Sequence, residues 1–108
     1  MMEAEVSWMR LQEWLGRVRQ VSLPRGRPFR ASFDQTYGEI VVEPSETGIP
    51  RRIRRRTWGE FVDRFNQVEV SGRDPLRPGH YVRTTHNSSY LVALTIAAVL
   101  NEARPRRR

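Results

Sequence analysis

Hydrophobic residues at helical spacing open the chain. The apolar residues Trp8, Leu11, Leu15 and Val18 recur at spacings of three and four and form a stripe along a helix. Trp14 and Val21 widen this stripe. Polar and charged residues fill the opposite side. This pattern is typical of an amphipathic helix with one buried face. It predicts a helix over Glu3 to Val21, which Pro24 ends because proline cannot continue a helix.

The pattern becomes alternating after residue 28, as expected for strands that bury one face. In "PFRASF" the apolar residues occupy every second position, in "EIVVE" Ile40 and Val42 do the same, and "RRIRRR" places Ile53 between arginines. The turn formers of "DQTYG" and "PSETGIP" separate the three runs. The sequence therefore predicts a three-stranded antiparallel meander between residues 28 and 56.

Two more helices and a short strand are predicted in the C-terminal half. Thr57 and Glu60 fit a capping box, so a helix is expected to begin at Thr57. The run "HYVRTT", residues 80–85, indicates a short strand, and Asn87 or Ser88 caps the last helix. The predicted order is α-β-β-β-α-β-α, an α+β fold in one domain over residues 1–103. The basic tail over residues 104–108 is predicted to be disordered.

The last helix is apolar on nearly every side, from Tyr90 to Leu100, with Thr95 as the one polar residue of that run. A helix with this composition is normally buried on more than one side. Two interpretations stay open: the helix lies at the centre of the core, or one of its faces packs in a homodimer.

Composition excludes several classes of site. The chain has no cysteine, so disulfides, thiolate metal sites and cysteine nucleophiles are absent. The only histidines are His80 and His86, and no acidic cluster has metal-ligand spacing, so we expect neither a metal nor a cofactor. The acidic start of the chain lacks the pattern of an export signal, and the longest apolar run is too short for a bilayer, so we expect a cytoplasmic protein.

The net charge of +7 comes entirely from arginine, because the chain has no lysine. Nine of the 19 arginines lie in residues 51–56 and 104–108. The charges of the other ten arginines and the 12 acidic residues sum to −2. The protein is therefore roughly neutral apart from two basic segments. On a strand, Arg52, Arg54 and Arg56 would share the outward face at intervals of roughly 6.6 Å, which suits a row of phosphates.

This spacing predicts a small non-catalytic protein that binds nucleic acid, DNA rather than RNA, mainly through phosphates. The predicted contact residues are Arg30, Arg52, Arg54, Arg55, Arg56, Arg73 and Arg77. Such binding is strongly salt-dependent. A three-stranded sheet followed by a helix, over Pro28 to Asn66, also resembles the topology of integrase N-terminal DNA-binding domains, which implies contact through the sheet.

A second class of function stays open beside this one. Glu39 and Glu43 alternate with the core residues of their strand, so they share the outward face and can neutralise the arginines across strands. The alternative is a protein-interaction or accessory module, of the kind mobile elements carry, that acts as a homodimer or on an acidic partner. Trp8 and Trp14 are its candidate exposed aromatic residues, since aromatic residues are enriched at interfaces.

The segment Pro24-Arg25-Gly26-Arg27-Pro28 resembles the core of an AT-hook. The resemblance implies an extended chain in the minor groove of A/T-rich DNA, with the glycine near the groove floor and both arginines reaching sideways. The same residues suit a hinge that ends a helix and begins a strand, and we expect the hinge.

The two histidines are the only candidates for acid–base chemistry. On a continuous strand, His80 and His86 would lie on one face, with Arg83 on the other. Two histidines near arginines can in principle carry out acid–base cleavage of RNA. No catalytic motif accompanies them, so we expect a protein that is not an enzyme.

Overall fold

A computed structural model describes residues 1–23 and 25–100 of the chain. The elements in chain order are α1 (Ala4–Trp14), β1 (Arg19–Val21), β2 (Phe29–Asp34), β3 (Glu39–Pro44), β4 (Arg51–Ile53), α2 (Arg55–Val70), a 3₁₀ helix (Pro78–Tyr81), α3 (Ser88–Leu94) and a π-helix (Thr95–Leu100). The predicted α+β fold is confirmed. Pro24 and the tail over residues 104–108, predicted to be disordered, lie outside the described residues.

The sheet is antiparallel, with its strands in the sequence order β1-β2-β3-β4. Asp34 shapes the turn from β2 to β3: its Oδ1 accepts hydrogen bonds from the backbone N–H of Thr36 at 2.9 Å and of Tyr37 at 3.3 Å. Gly38 closes the turn with a φ of 64°, a conformation that glycine adopts without strain. The turn sets the register in which Asp34 lies opposite Glu39 and Ala31 opposite Val42.

The core lies between one face of the sheet and the helices. Alternate residues of the sheet point inward and are buried, namely Phe29, Ala31, Ile40, Val42 and Ile53. They belong to one hydrophobic cluster with buried residues of α1, α2 and α3. The Phe29 ring meets the Tyr90 ring edge to face, with centroids 5.0 Å apart. The other sheet face therefore carries the polar side chains of the strands.

The first helix is shorter than predicted. It ends at Trp14 rather than Val21, and the three residues Arg19–Val21 form β1 instead, which adds a fourth strand to the predicted meander. Gly16 follows the helix and disfavours its continuation by about 1 kcal/mol relative to alanine. Val18, predicted on the buried stripe, is 60% exposed, whereas Val21 is buried through pairing with Phe29.

Two further boundaries differ from the prediction. α2 begins at Arg55 with Arg54 as its N-cap residue, and no side chain caps it, so the capping box at Thr57 is not the helix start. The strand predicted over residues 80–85 is absent there. Proline at the start of Pro78–Tyr81 has a fixed φ that suits the first turn of a helix, and the segment forms a 3₁₀ helix.

The apolar last helix is explained by burial within the chain. Leu91, Val92, Leu94 and Ala98 are fully buried, and α3 continues as the π-helix without a break. Ile96 is 38% exposed, so one part of the π-helix reaches the surface. The central-core interpretation therefore accounts for most of the apolar surface, while the homodimer stays a prediction.

A buried hydrogen bond joins α1 to α2. The Trp58 indole Nε1–H donates to Ser7 Oγ at 2.9 Å, and the hydroxyl of Ser7 donates to the carbonyl of Glu3 at 2.7 Å. Trp58 is fully buried and Ser7 is 2% exposed, so water cannot replace Ser7 as an acceptor. Trp8 is 4% exposed and packs in the same core, as its place on the helical stripe predicts, so it is not the exposed aromatic residue that the interaction-module alternative named.

Replacing Ser7 by alanine should lower the free energy of unfolding by about 1–3 kcal/mol, because the buried indole N–H then has no acceptor. Urea unfolding followed by circular dichroism measures the change. Ser89→Ala, on the exposed face of α3, is the control and should change stability by less than about 0.5 kcal/mol. Equal effects of the two substitutions would contradict the role of this bond.

Tyr81 predicts an alkaline loss of stability. Burial raises the pKa of its phenol to about 12, from an ordinary value of 10.0. Because the unfolded chain ionises first, the free energy of unfolding should be highest below pH 10 and fall as the pH rises toward 12. In urea titrations across this window, Tyr81→Phe should show a shallower fall than the wild type. Parallel curves for the two proteins would show that this phenol does not contribute.

Candidate functional site

Two of the predicted contact residues share the outward face of the sheet. Arg30 on β2 lies opposite Glu43 on β3, and Arg52 on β4 lies opposite Val41. Both arginines are exposed, whereas their strand neighbours Ala31 and Ile53 are buried. The predicted side of the sheet is therefore correct for Arg30 and Arg52.

Arg52 is held by two carboxylates. Its Nη1 lies 2.9 Å from Asp34 Oδ2 and 3.2 Å from Glu39 Oε1. The hydrogen bond from Arg52 lowers the pKa of Asp34, and the two carboxylates raise the pKa of Arg52. The guanidinium also lies 5.5 Å from the centre of the Tyr37 ring. A phosphate would have to displace these partners to bind Arg52.

The other arginines of residues 51–56 do not form the predicted row. Arg54 is the N-cap of α2 and its Nε lies 3.3 Å from Glu39 Oε2, so Glu39 bridges Arg52 and Arg54. Arg55 and Arg56 lie in the first turn of α2 and pair with acids on helices: Arg55 with Glu5, and Arg56 with Glu60 at 3.6 Å. The strand spacing assumed for Arg52, Arg54 and Arg56 is wrong, because β4 ends at Ile53.

The outward face of the sheet is balanced in charge. Three arginines and three acids occupy this face and its rim: Arg30, Arg52 and Arg54, with Asp34, Glu39 and Glu43. The predicted neutralisation is confirmed for Glu39, whose carboxylate contacts two arginines. Glu43 lies opposite Arg30 in the register, with no ion pair to it within residues 1–23 and 25–100.

The remaining predicted residues, Arg73 and Arg77, lie in the loop between α2 and the 3₁₀ helix. Both are exposed. The loop is held locally, by hydrogen bonds from the N–H of Arg73 to the carbonyl of Val68 at 3.2 Å and from that of Arg77 to Asp74 at 3.4 Å. Among the described residues, no ion pair joins Arg73 or Arg77 to the residues of the sheet.

A groove along β1 is the feature that the sequence analysis missed. We call it the edge groove: a cavity of about 400 Å³ between the end of α1, the strand β1 with the two residues after it, and the helix formed by α3 and the π-helix. It is lined by Trp14, Gln20, Val21, Ser22, Leu23, Ala93, Ile96 and Ala97. Its walls are mostly apolar. β1 is the outermost strand of the sheet on this side, so the groove runs beside an open strand edge.

Three arginines without acidic partners lie close in the chain to residues that line the edge groove. Arg19 lies beside Trp14: its Nε donates to the Trp14 carbonyl at 2.9 Å, and its guanidinium stands 4.9 Å from the centre of the indole. Arg25 and Arg27 flank Gly26, where an added Cβ would lie 3.6 Å from Cδ1 of Leu23, one of the residues that line the groove. No carboxylate among the described residues pairs with any of these three arginines.

The sequence does hold a signal for this groove. Between Trp14 and Phe33 there are five arginines and no acidic residue, and between Ser88 and Leu100 there is no charged residue at all. The fold brings these two stretches side by side. The signal in residues 14–33 is the absence of acidic residues, whereas residues 51–56 stand out by their density of arginine.

The histidines are not brought together by a strand. His80 lies in the 3₁₀ helix beside Tyr81, with ring centroids 6.3 Å apart, and His86 is exposed in the turn before α3. Within the described part of the chain, no group of three or more histidines and carboxylates could hold a metal ion. No helix over those residues is both long enough and apolar enough to cross a bilayer.

Comparisons with protein-family models, with curated proteins and with solved structures gave no match to this chain.

Releasing the arginines held by Glu39 should expose their charge to polyanions. Glu39→Gln should therefore elute from heparin at a higher salt concentration than Glu46→Gln, although each substitution raises the net charge by the same amount. Glu46 is exposed in the loop after β3, and no ion pair holds it among the described residues. Coincident elution of the two variants would show that the pairing with Glu39 does not mask Arg52 and Arg54.

Proposed function

We propose that this protein is a non-catalytic binding module that recognises an acidic partner protein. One observation carries the proposal: the arginines divide into a set that is paired with carboxylates and a set that is not. The paired set consists of Arg52, Arg54, Arg55 and Arg56. The unpaired set is densest between Trp14 and Phe33, where no acid occurs.

The paired set is a poor candidate for binding a ligand's charge. Exposed ion pairs are each worth only about 0–1 kcal/mol, so the pairs themselves can be broken. A polyanion that broke them would nevertheless leave Asp34 and Glu39 facing its own negative charge. That repulsion makes the outward face of the sheet a weak site for phosphates, which argues against the predicted row of Arg52, Arg54 and Arg56.

The unpaired set fits a protein surface. Arg19 stands against Trp14, and arginine and tryptophan are the residues most enriched where protein interfaces gain their binding energy. Trp14 is half-buried, so part of the indole is available to a partner. An apolar groove edged by positive charge complements a partner that offers both apolar and acidic side chains.

Contact with nucleic acid is the second candidate function. The observation that favours it is the loop after β1, where Arg25, Gly26 and Arg27 are all exposed and lie outside helices and strands. Gly26 has a φ of 117°, which a residue with a side chain rarely adopts. The resemblance to an AT-hook stays a prediction, and Pro24, its first residue, lies outside the described residues.

Binding to polyglutamate, duplex DNA and single-stranded RNA, each labelled and titrated over a salt series, separates the two functions. We expect the tightest binding to polyglutamate at equal salt. The combined change Arg25→Gln, Arg27→Gln and Arg30→Gln should weaken it by about tenfold or more, since each lost charge contact costs a fraction of 1.4 kcal/mol.

The matched control is Arg52→Gln, Arg54→Gln and Arg56→Gln, which removes the same charge from the paired set. It should leave polyglutamate binding nearly unchanged. Tighter binding of DNA than of polyglutamate, lost in the first triple variant, would establish the second function instead. Loss of binding only in the control variant would place the contact on Arg52, Arg54 and Arg56 instead.

A further inference from the structure

The edge of the sheet at β1 is open on one side. β1 pairs with β2 through Arg19 opposite Ala31 and Val21 opposite Phe29. Backbone N–H and C=O groups alternate sides along a strand, so part of those in β1 point away from β2. No other strand of the described residues pairs with β1 on that side. An unpaired strand edge is a template for another extended chain.

The edge groove supplies apolar contacts beside this open edge. Val21 and Leu23 form one wall, and Ala93, Ile96 and Ala97 form the wall opposite. Ala93 and Ala97 are small, so a chain can lie close to the helix. Ile96, 38% exposed, lies in the π-helix, a winding that is rare in helices and frequent at functional sites.

The charge along the edge selects what can lie there. Arg17 and Arg19 precede or begin β1, Arg25 and Arg27 follow it, and Arg30 lies opposite Gln20 on the next strand. The stretch from Trp14 to Phe33 holds no acid, and the neighbouring helix from Ser88 to Leu100 holds no charge. An incoming strand therefore meets positive charge at both ends and an apolar wall between.

We infer that β1 accepts an extended acidic segment of a partner protein as a fifth strand of the sheet. This inference rests on the proposed function and names how the acidic partner binds. Its backbone pairs with β1, alternate apolar side chains enter the edge groove, and acidic side chains reach the arginines at either end. β1 spans about 10 Å, so the main-chain contact covers about three residues, and the flanking arginines extend it.

Charge excludes a second copy of this chain as the occupant. Pairing of two β1 edges would bring together two segments that each hold five arginines and no acid. Like charges on facing strands are destabilising. A polynucleotide would satisfy the arginines but offers no backbone that pairs with a strand.

The test uses a fluorescent, blocked peptide in which valine alternates with glutamate, and the intact protein. We expect saturable binding by fluorescence anisotropy. The same peptide with N-methyl groups on alternate backbone nitrogens should bind about tenfold more weakly or not at all, because it keeps the charge and loses strand hydrogen bonds. A valine–lysine peptide should not bind.

Two variants locate the peptide on the protein. Ile96→Gln, in the groove wall, and the pair Arg25→Gln with Arg27→Gln should each weaken binding by about tenfold. The charge-matched control is Arg10→Gln with Arg83→Gln, both exposed and away from the groove lining, which should leave affinity within about twofold. Circular dichroism melting of each variant confirms folding, and Leu23→Gln replaces Ile96→Gln if that variant does not fold.

Amide hydrogen exchange gives a direct readout of strand addition. The peptide should slow exchange at N–H groups of residues 19–21 that do not bond to β2. A different outcome is that the peptide binds equally well when it is N-methylated and leaves exchange in β1 unchanged. In that case recognition of an acidic partner is upheld, but strand addition is wrong. If neither the peptide nor polyglutamate binds, the proposed function itself fails.

A comparison of the peptide with an oligonucleotide covers the remaining outcome. Duplex DNA could displace the bound peptide at equal charge concentration, and Ile96→Gln could leave the affinity for both ligands unchanged. These two results together would overturn strand addition and favour nucleic acid as the partner. Concentration-dependent dimerisation that the peptide abolishes would overturn the exclusion of a second copy at β1.

Discussion

The burial of one sheet face beneath an uncharged helix constrains the rest of the molecule. From Ser88 to Leu100 the chain has no charged residue, and this helix fills the core against Phe29 and its inward neighbours. A chain of this size supports one such core and not two. The outward sheet face is therefore polar, which sets arginine and glutamate side by side and allows Glu39 to hold Arg52 and Arg54.

The two basic regions show that pairing matters more than the density of charge. Residues 51–56 hold five arginines and residues 14–33 also hold five, yet four of the first five have carboxylate partners. None of the five arginines of residues 14–33 pairs with a carboxylate among the described residues. A field that reaches a partner comes from cations without near counter-charges. The second region is thus the stronger electrostatic feature, although the first is the more conspicuous in sequence.

Where one physical effect dominates, the sequence predicted the structure. Alternation placed Phe29, Ala31, Ile40 and Val42 in the core because strands bury every second residue. Helical spacing was wrong at Val18, which is exposed, and it assigned Val21 to a helix, although Val21 is buried as predicted. Val21 lies in β1, which pairs with β2.

Helix starts were predicted less well, because capping residues are only one route to a start. α2 begins at Arg55, and the side chain of its N-cap residue Arg54 makes no capping hydrogen bond. Trp58 and Phe61 are fully buried, so packing stabilises this helix without a side-chain cap. The arginine row failed for the same reason, since it assumed a strand through Arg56. The sequence correctly predicted Glu39 as a residue that neutralises arginines. It did not predict the edge groove, because the groove is formed by residues 14–33 and 88–100, which only the fold brings together.

The bonds between α1 and α2 also affect how the chain is assembled during synthesis. Ser7 bonds to Trp58, and Met2 exchanges two hydrogen bonds with Asn66, at 2.9 and 2.8 Å. These partners lie 51 and 64 residues apart in sequence. The hairpins between β2 and β4 close over much shorter distances, which costs less loop entropy. α1 contacts β2 through the rings of Trp8 and Phe33, whose centroids lie 6.0 Å apart, but the hydrogen bonds of Ser7 and Met2 form only once α2 has been synthesised.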